Sequence, residues 1–510
     1  MKTLLSDIAV AVQDGGVGVL VVGAPGAAAV PVAGTSCDSR TVSPGDLFVC
    51  KGAAFKPEFL AKALDAGAVA YLCDRAHADE LATIAPQAPA LVTDDLRPAM
   101  ALASAAAFGH PDCDLPVVGI TGTKGKTTTA YMLRSIIEEA RGKGSCGIIG
   151  TIETYDGASE EPSHNTTPEP PDLWRHLANA RDARLAAMVM EVSSQALKYD
   201  RTLGVGLVAG CFLNIGLDHI SAVEHANFED YFSSKLRIFS QCANAVVNLD
   251  SDHADRVLDA ASAAPRTLTF GVRCPEADAW ADDLVTSERG VSFTLHLFDE
   301  KDRVDLPFPG EFSVSNALCA ALVAHLLGIG VEDVARGLSR TRVPGRMEFH
   351  RSNDGQLTAV VDYAHNRLSF DALLSGLREA YPDARMIAVF GAVGGKALER
   401  RHDLPEIAAR YVDHVVLTAD DPWTEDPADI CREMERSLPA GFPHDVVIDR
   451  EQAAARAFEL AEAAPGRSMV LLLAKGHERY QLTRAGFEPC ASDCELAARG
   501  VAAHDAVVGA

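Results

Sequence analysis

The segment Gly-Thr-Lys-Gly-Lys-Thr-Thr at residues 122–128 carries the clearest chemical signal in the chain. Its glycines allow the backbone to turn tightly and to point N–H groups inward, and a helical pattern follows. Such a turn at a helix N-terminus binds phosphates, where a lysine can reach the β- and γ-phosphates of a nucleotide and the next threonine can ligate Mg²⁺. The segment therefore predicts a nucleotide-binding loop made of Gly122, Thr123, Lys124, Gly125, Lys126, Thr127 and Thr128.

This loop is a short variant of the common phosphate loop, which has a glycine five positions before Gly125, where this chain has Ile120. A simple glycine turn is the alternative interpretation. The flanking residues favour the phosphate loop, because an apolar run at 117–120 predicts a strand before it and a helix with one buried face follows it. The residues predicted on that face are Met132, Leu133, Ile136, Ile137 and Ala140.

Short apolar runs alternate with helical patterns along most of the chain, which predicts an α/β fold. Two series of such runs predict two separate sheets, both mostly parallel. A turn and strand at 38–52 belong to a smaller N-terminal unit, so we expect three domains, at residues 1–112, 113–343 and 344–510. The two series lie at 117–120, 186–190, 210–215 and 244–249, and at 358–361, 386–390, 414–418, 446–448 and 469–473.

The composition of the 510 residues is that of a globular protein, with 48% hydrophobic and 23% charged residues. A formal net charge of −25 argues against a general nucleic-acid-binding protein, because the phosphate backbone would be repelled. The 12 cysteines are scattered without zinc-site spacing, which indicates reduced thiols. The N-terminus is a poor signal peptide and no apolar run is long enough for a membrane span, so we expect a cytoplasmic protein.

Ten further segments, together with the short loop, resemble the Mur ligase family, whose members add amino acids to the peptidoglycan precursor. Their order and spacing match that family nearly from end to end. The segments are DSR at 38–40, NTTPEPPDL at 165–173, MEVSSQAL at 190–197, FLNIGLDHI at 212–220, YFSSKLRIF at 231–239, FSVSNALCA at 312–320, GRME at 345–348, DYAH at 362–365, DDPWTEDP at 420–427 and KGHERYQ at 475–481.

The resemblance implies a UDP-sugar-binding N-terminal domain, an ATP-binding central domain like those of P-loop ATPases, and a Rossmann-like C-terminal domain that binds an amino acid. It also implies two Mg²⁺ sites with Thr127, Glu191, His219 and Lys235 as ligands. Glu191 ends a predicted strand, where a carboxylate suits Mg²⁺. Lys235 aligns with the family lysine that carries a carbamate, which would make it an anionic ligand. The remaining ATP contacts implied are Asn316, Arg346, Asp362 and His365.

The substrate contacts implied by the resemblance fall in the first half of the chain. Ser39 aligns with a residue that holds the uridine, and Asn165, Thr166 and Thr167 resemble the loop that grips the sugar and its peptide. Ser193 and Arg201 lie at the spacing of the other contacts. The chain departs from the family at Tyr199, where glutamine is usual, and after DYAH, where it has Asn366-Arg367 instead of Pro-Asp.

The identity of the added amino acid depends on the box at 420–423. Users of meso-diaminopimelate have Asp-Asn-Pro-Arg there, and the arginine clamps the distal carboxylate of that substrate, whereas this chain has Asp420, Asp421, Pro422 and Trp423. An acidic pocket without that arginine fits an ammonium group better, so we favour L-lysine, or a similar diamino acid such as ornithine. Arg401 is expected to bind the α-carboxylate and Glu478 an amine.

The implied reaction transfers the γ-phosphoryl group of ATP to the carboxylate of a UDP-N-acetylmuramoyl dipeptide, and a free amino acid then attacks the acyl phosphate. The same reaction with meso-diaminopimelate is the nearest alternative. More distant alternatives are a folylpolyglutamate-synthetase-like ligase, a P-loop nucleotide switch and a catalytically inactive binding subunit. The DSR and NTTP segments argue against the folate enzyme, and the DYAH and KGHE segments against the switch. A monomer is the default expectation.

Overall fold

The computed structural model describes residues 3–52, 55–163, 165–216, 220, 224–287, 290–463 and 465–508. Two compact units make up the chain. The first comprises Met1–Asp283, Phe293–Val304 and Val314–Ser339, and the second comprises Leu284–Ser292, Asp305–Ser313 and Arg340–Ala510. The division into three domains therefore stays a prediction.

The N-terminal part of the first unit has its own five-stranded sheet, in the order β2-β7-β6-β5-β4. Only β2 runs antiparallel to its neighbour, and β1 and β3 form a separate antiparallel pair. The strands are β1 Thr3–Leu4, β2 Val19–Val22, β3 Pro31–Val32, β4 Gly34–Ser36, β5 Asp46–Val49, β6 Ala70–Asp74 and β7 Ala90–Thr93, and the helices are α1 Leu5–Asp14, α2 Pro57–Asp65, α3 Ala78–Ile84 and α4 Leu96–Ala107.

The central sheet has the order β11-β10-β9-β12-β8-β13-β14-β15-β16-β17-β18 and is parallel from β9 to β16. Its strands are β8 Val117–Thr121, β9 Cys146–Ile149, β10 Glu153–Tyr155, β11 Glu160–Pro162, β12 Ala187–Glu191, β13 Leu207–Phe212, β14 Cys242–Asn248, β15 Arg266–Val272, β16 Ala279–Ser287, β17 Gly290–Leu297 and β18 Glu300–Leu306. The helices are α5 Lys126–Arg141, α6 Pro170–Asp182, α7 Ser194–Lys198, α8 Phe228–Leu236, α9 Ala254–Ala261, α10 Glu311–Leu326 and α11 Val331–Arg340.

The second unit contains a six-stranded sheet in the order β19-β20-β24-β21-β22-β23, in which only β19 is antiparallel, and a hairpin of β25 and β26. The strands are β19 Glu348–Arg351, β20 Leu357–Asp362, β21 Arg385–Phe390, β22 His414–Leu417, β23 His444–Val446, β24 Ser468–Leu473, β25 Tyr480–Thr483 and β26 Gly486–Pro489. The helices are α12 Arg367–Ala380, α13 Arg400–Tyr411, α14 Pro427–Glu435, α15 Arg450–Glu462 and α16 Asp493–Val508.

The α/β class and the two mostly parallel sheets predicted from the sequence are confirmed. Each of the nine predicted apolar runs overlaps a strand, because strands buried on both faces read as continuous apolar segments. The strands β9 to β11 and β15 to β18 were not predicted, since several of them are polar or short. Among the described helices, none combines the length and apolarity that crossing a bilayer requires.

The departure after the DYAH segment has a local structural reason. Asn366 is the N-cap of α12, and its side chain accepts a hydrogen bond from the Ser369 backbone N–H while the Ser369 hydroxyl bonds back to the Asn366 backbone. This reciprocal cap satisfies two N–H groups that a helix start leaves without partners. Asn366 therefore starts the helix in this chain.

The helix that follows the phosphate loop is buried on the predicted face. Met132, Leu133, Ile136 and Ile137 are buried, whereas Ala140, near the end of the helix, is only half-buried. Helix α11 approaches this helix so closely that a Cβ placed at Gly337 would lie 2.5 Å from the Ile136 Cα. The Ser135 hydroxyl also donates to the Gly337 carbonyl, at 2.7 Å. Close backbone approach of this kind permits only glycine.

We expect Gly337→Ala to lower the free energy of unfolding by about 1–3 kcal/mol, because the Ile136 backbone cannot move away cheaply. Gly376→Ala in α12 is the matched control, since no atom lies within 4 Å of its added Cβ, and it should stabilise by roughly 0.5–1 kcal/mol. Denaturant unfolding of both variants measures the difference. Equal stabilities would contradict the close helix packing.

Candidate active site

The turn between β8 and α5 has the backbone conformation that a phosphate loop requires. Gly122 and Gly125 have φ angles of 153° and 87°, which side-chain-bearing residues rarely adopt, and α5 begins at Lys126. A Cβ at Gly125 would lie 2.4 Å from Oδ1 of Asn316, so the predicted adenosine-contact residue lies beside the loop. Thr128 is half-buried in the first turn of α5. The N–H groups at this helix start form an anion site.

Residues from the segment after β13 and from α8 hold this loop in place. The Lys124 N–H donates to the Asn214 side chain at 2.9 Å, and the Asn214 amide donates back to the Lys124 carbonyl at 3.1 Å. The Thr123 hydroxyl lies 3.0 Å from the Tyr231 hydroxyl and accepts the Gly216 N–H at 3.0 Å. The loop is therefore fixed by hydrogen bonds on both sides.

Two ammonium groups converge on one carbonyl oxygen of the loop. Lys126 Nζ donates to the Gly122 carbonyl at 2.8 Å, and Lys235 Nζ donates to the same oxygen at 2.9 Å. Lys235 is only 1% exposed, and its Nζ lies 4.7 Å from the centre of the Tyr231 ring. Two like charges this close repel each other, and the repulsion is stronger where water is excluded. An anion at this position, or a change of charge on one lysine, would relieve it.

Glu191 places a buried carboxylate next to the start of α5. It is 1% exposed; its Oε2 accepts from the Thr127 hydroxyl at 2.9 Å and from the Thr151 hydroxyl at 3.1 Å, and its Oε1 accepts the Thr151 N–H at 2.8 Å. Within the described part of the chain, no cationic side chain forms an ion pair with it. A buried carboxylate beside a hydroxyl suits a hard cation such as Mg²⁺.

The predicted metal ligands Thr127, Glu191 and Lys235 therefore lie at one edge of the sheet, around the phosphate loop. His219, the fourth predicted ligand, lies outside the described residues. The described residues that fit a magnesium ion are the oxygen donors Thr127 and Glu191. Lys235 would fit only in an anionic form, because an ammonium group has no lone pair to offer a metal.

The predicted sugar- and peptide-binding loop is tied to the same carboxylate. The Thr167 hydroxyl donates to the Glu191 carbonyl at 2.9 Å and accepts the Ser193 N–H at 3.0 Å. The Thr166 hydroxyl lies 3.1 Å from that of Thr151, which itself bonds to Glu191. Ser193 is also the N-cap of α7, so its hydroxyl has a structural role. Thr167 thereby connects this loop to the end of β12.

A chain of charged groups continues from this loop to the N-terminal sheet. Arg201 donates to the Thr167 carbonyl at 3.1 Å and pairs with Glu169 Oε1 at 3.1 Å. The other Glu169 oxygen pairs with Lys51, just after β5. Arg201 and Lys51 are the two cations that an anionic substrate would meet here. Of two other predicted contacts, Ser39 is half-buried and Asn165 is exposed.

The DYAH segment follows β20 in the second unit and fixes the turn at 345–348. Asp362 accepts the Met347 N–H at 2.8 Å and the Ala364 N–H at 2.7 Å, which uses both of its oxygens. His365 Nδ1 lies 2.6 Å from the Tyr363 carbonyl, which favours a proton on that nitrogen. In the described structure Asp362 therefore orders the backbone that carries Arg346.

Tyr363 connects two predicted binding residues of this unit. The Arg346 guanidinium lies 4.2 Å from the centre of the Tyr363 ring, and the Tyr363 hydroxyl donates to Glu478 at 2.6 Å. Burial, Arg346 and Lys475 together lower the pKa of the neighbouring His477 to about 3, so His477 is neutral at physiological pH. The sequence analysis assigned roles to Arg346 and Glu478, and it included Tyr363 in the DYAH segment without assigning it a role.

In the predicted amino-acid pocket of the second unit, three carboxylates surround one buried ammonium group. Lys475 Nζ pairs with Asp421 at 2.8 Å and with Glu478 at 2.6 Å. Burial raises the pKa of Asp420 to about 6, despite the nearby Lys475. The pKa of Lys475 lies above its ordinary value because the three carboxylates outweigh its burial. The cluster keeps an excess of negative charge above pH 6, which favours a second cation.

Three residues without the freedom of glycine adopt left-handed backbone conformations around this cluster. Asp421 has a φ of 43°, Trp423 of 50° and Ala474 of 82°. Conformations of this kind cost about 1–3 kcal/mol each and persist only where the surroundings enforce them. Trp423 is 49% exposed and borders a cleft of about 720 Å³, which neither Asp421 nor Glu478 lines.

Arg401, the predicted α-carboxylate contact, is buried in ion pairs of its own. Its guanidinium donates to Glu425 and to Glu433, both at 2.8 Å, and Glu425 also accepts the Gly395 N–H. Its Nε–H is buried without a hydrogen-bond partner in the described structure. Two glutamates therefore already neutralise Arg401, and a substrate carboxylate would have to compete with them.

Comparison with known proteins decides the family. The chain matches the model of the Mur ligase middle domain at residues 120–324 and that of the Mur ligase, glutamate ligase domain at residues 345–476. It is 35% identical to the UDP-N-acetylmuramoyl-L-alanyl-D-glutamate–L-lysine ligase of Enterococcus faecalis, over 91% of each chain. This chain belongs to the Mur ligase family.

Other Mur ligases support the same conclusion. The UDP-N-acetylmuramyl-tripeptide synthetase of Bifidobacterium longum is 36% identical over 88% of each chain. A solved UDP-N-acetylmuramoyl-L-alanyl-D-glutamate–2,6-diaminopimelate ligase has a TM-score of 0.66 and 25% identity, with 99% of each chain covered. The predicted family membership and the enzyme class, a ligase, are confirmed.

Several residues of the Mur ligase site were missed by the sequence analysis. Thr151, Tyr231, Tyr363 and Lys475 all contact predicted site residues. Lys475 belongs to the recognised segment at 475–481, but the sequence analysis assigned no role to its side chain. No pattern in one sequence distinguishes Thr151 from the chain's other threonines, because its role arises from the pairing of β9 with β12.

We expect Gly150→Ala to impair this Mur ligase without unfolding it. A Cβ at Gly150 would lie 2.4 Å from Glu191 Oε1, so the flexible carboxylate must rotate away from Thr127 while the backbone stays in place. Turnover should fall by up to about 100-fold and the Mg²⁺ concentration for half-maximal activity should rise. Gly330→Ala, with no atom within 4 Å, is the control. Unchanged Mg²⁺ dependence would show that the orientation of Glu191 is not needed.

Proposed function

We propose that this Mur ligase joins a diamino acid, L-lysine in preference to others, to the D-glutamate of UDP-N-acetylmuramoyl-L-alanyl-D-glutamate, with hydrolysis of ATP to ADP, in peptidoglycan synthesis. The observation that carries the proposal is the buried carboxylate of Glu191 beside Thr127 at the phosphate loop. Relatives that match over nine-tenths of their length are named for this reaction, which supports the substrate class.

The reaction would proceed in two balanced steps. The substrate carboxylate attacks the γ-phosphorus of ATP, which gives an acyl phosphate and ADP. The amine of the incoming amino acid then attacks the acyl carbon, loses a proton, and expels phosphate to leave an amide. Both steps need reactants held in line and negative charge neutralised, and little covalent chemistry from the protein.

Residues around the phosphate loop would neutralise that charge. Lys126 would move from the Gly122 carbonyl, where it now donates, to the phosphates. Asn316, beside the loop, would hold the adenosine. The family resemblance assigns Arg346 and Asp362 of the second unit to ATP as well. Thr127 and Glu191, with His219 and a carbamylated Lys235, would bind Mg²⁺, which withdraws negative charge from the phosphates.

The proximity of the two lysines supports the carbamate. As ammonium groups, Lys126 and Lys235 donate to the same Gly122 oxygen and repel each other. The Lys235 ammonium group loses a proton, and the neutral amine then reacts with CO₂ and releases a second proton to form a carbamate. The two steps together replace one positive charge by a negative one. The change would convert repulsion into attraction and supply the oxygen ligands that Mg²⁺ prefers.

The acidic cluster supports a substrate that ends in an ammonium group. Asp420, Asp421 and Glu478 outnumber Lys475, the cation that pairs with two of them. Trp423 provides no charge to bind a distal carboxylate, which meso-diaminopimelate carries and L-lysine lacks. We therefore rank L-lysine and ornithine above meso-diaminopimelate.

Phosphate release from ATP tests the function directly. With UDP-N-acetylmuramoyl-L-alanyl-D-glutamate present, we expect release with L-lysine, weaker release with ornithine and almost none with meso-diaminopimelate. Release with meso-diaminopimelate alone would reverse the specificity, and no release with any amino acid would contradict the ligase reaction.

A double variant provides the control for the specificity. Asp421→Asn with Trp423→Arg restores the box of the diaminopimelate users, and it should shift the ratio of kcat/KM values toward meso-diaminopimelate by about tenfold or more. Thr424→Ala, at an exposed neighbouring position, should leave the ratio unchanged. A double variant with unaltered preference would mean that residues 420–423 do not select the substrate.

We expect Lys235→Ala to be inactive and to regain part of its activity with formate or acetate, because a small carboxylate can occupy the space of the carbamate. Phosphate release measured against carboxylate concentration gives the recovery. Lys198→Ala is the matched control: Lys198 pairs with Asp230, and added carboxylate should not raise its activity. Absence of recovery at every concentration would count against the carbamate.

A further inference from the structure

A buried ion pair lies at the carboxyl ends of the strands in the six-stranded sheet of the second unit. Neither of its residues has been assigned to a substrate. Arg450 Nε and Nη2 each donate to one oxygen of Asp493, both at 2.8 Å. The side chains are 5% and 1% exposed. Arg450 is the first residue of α15 and Asp493 the first of α16, so two helix starts meet here.

The same two side chains bond to the backbone of both loops that carry the acidic cluster. Arg450 Nη2 donates to the Leu473 carbonyl at 2.7 Å, and Nη1 makes a longer contact of 3.5 Å to the Ala419 carbonyl. Asp493 accepts the Gly476 N–H at 3.0 Å. Leu473 precedes the loop with Lys475 and Glu478, and Ala419 directly precedes Asp420 and Asp421.

The position of Arg450 is unfavourable for its own helix. A cation in the first turn opposes the helix dipole, and the charge gains nothing from water because it is buried. Buried ion pairs of this kind are weak stabilising devices, since desolvation offsets most of the attraction. Local stability therefore does not explain the arginine.

The strained backbone beside the pair needs support that these bonds provide. Ala474, with φ of 82°, follows Leu473, and Asp421, with φ of 43°, lies two residues after Ala419. Such conformations relax unless neighbouring contacts hold them. The carbonyl bonds of Arg450 lie immediately before both strained stretches.

We propose that Arg450 and Asp493 are positioning residues that fix the spacing between Asp421 and Glu478 and thereby set the affinity for the incoming diamino acid. The identity of the diamino acid rests on the proposed function, whereas the role of the pair rests on the hydrogen bonds described above. Neither side chain is assigned to substrate or ATP; the pair would act through the backbone of residues 419–421 and 473–478.

A similar arrangement at the opposite edge of the same sheet offers a matched control. Arg378 donates to the Tyr411 and Ala384 carbonyls, at 2.8 and 2.9 Å, and pairs with Asp413 at 2.9 Å. Asp413 also accepts a backbone N–H, that of Met386. This pair is more exposed, and it lies at the amino ends of β21 and β22, whereas the acidic loop at 419–421 follows the carboxyl end of β22.

Steady-state kinetics of Arg450→Lys tests the proposal. Lysine keeps the charge, but its single nitrogen cannot bond Asp493 in two places and reach both carbonyls. We expect KM for L-lysine to rise by about tenfold to 100-fold, with KM for ATP changed less than about twofold. Arg378→Lys should leave both KM values unchanged, even if it lowers the unfolding temperature as much as Arg450→Lys does. A KM for L-lysine at the wild-type value in Arg450→Lys would overturn the proposal.

Asp493→Asn is the second variant, for use if Arg450→Lys does not fold. It keeps an acceptor for the Gly476 N–H but loses the negative charge. We expect KM for L-lysine to rise and KM for ATP to stay at the wild-type value. A wild-type KM for L-lysine here would also overturn the inference.

Hydrogen exchange separates this inference from the proposed function. In either variant we expect faster amide exchange at residues 419–424 and 474–479 than in the wild-type protein, and no change in these loops in Arg378→Lys. This readout needs no substrate, so it stands even if the wild-type protein accepted no diamino acid. Unchanged exchange in both loops would show that the pair does not hold them.

Discussion

The register between two neighbouring parallel strands is the constraint on which the first site depends. Glu191 in β12 pairs with Ile120 in β8, so its carboxylate lies at the edge where the phosphate loop begins. Side chains alternate between the faces of a sheet, and a slip of one residue would turn Glu191 to the opposite face, away from Thr127. The bonds of Thr151 and Thr167 to Glu191 require the same register.

Charges of like sign are brought together in each of the two units. Near the phosphate loop, Lys126 and Lys235 crowd one carbonyl oxygen, which favours an anion. In the second unit, the carboxylates around Lys475 favour a cation. The protein thus holds its charges in place before substrates bind, at a cost in stability that strained and desolvated sites commonly carry.

The parts of the fold that were predicted correctly are those with a local signal. The strand, turn and helix around residues 122–128, the face of α5 and the central parallel strands each follow from the spacing of glycines or apolar residues within one segment. Thr151 had no such signal, and Tyr363 stood in the DYAH segment without an assigned role, because their roles come from contacts between segments far apart in the chain. Arg401 shows the opposite case. The sequence resemblance assigned it a role, but only the structure reveals that it already forms ion pairs with two glutamates.

The sequence by itself determined the α/β class, the phosphate loop and the family, since these depend on residue type and on spacing along the chain. Only the tertiary structure decided which charges lie together: the two lysines on Gly122, the three carboxylates around Lys475, and the Arg450–Asp493 pair between two loops. The physical reason is that electrostatic interaction depends on distance in space and on burial, and neither is encoded in sequence separation.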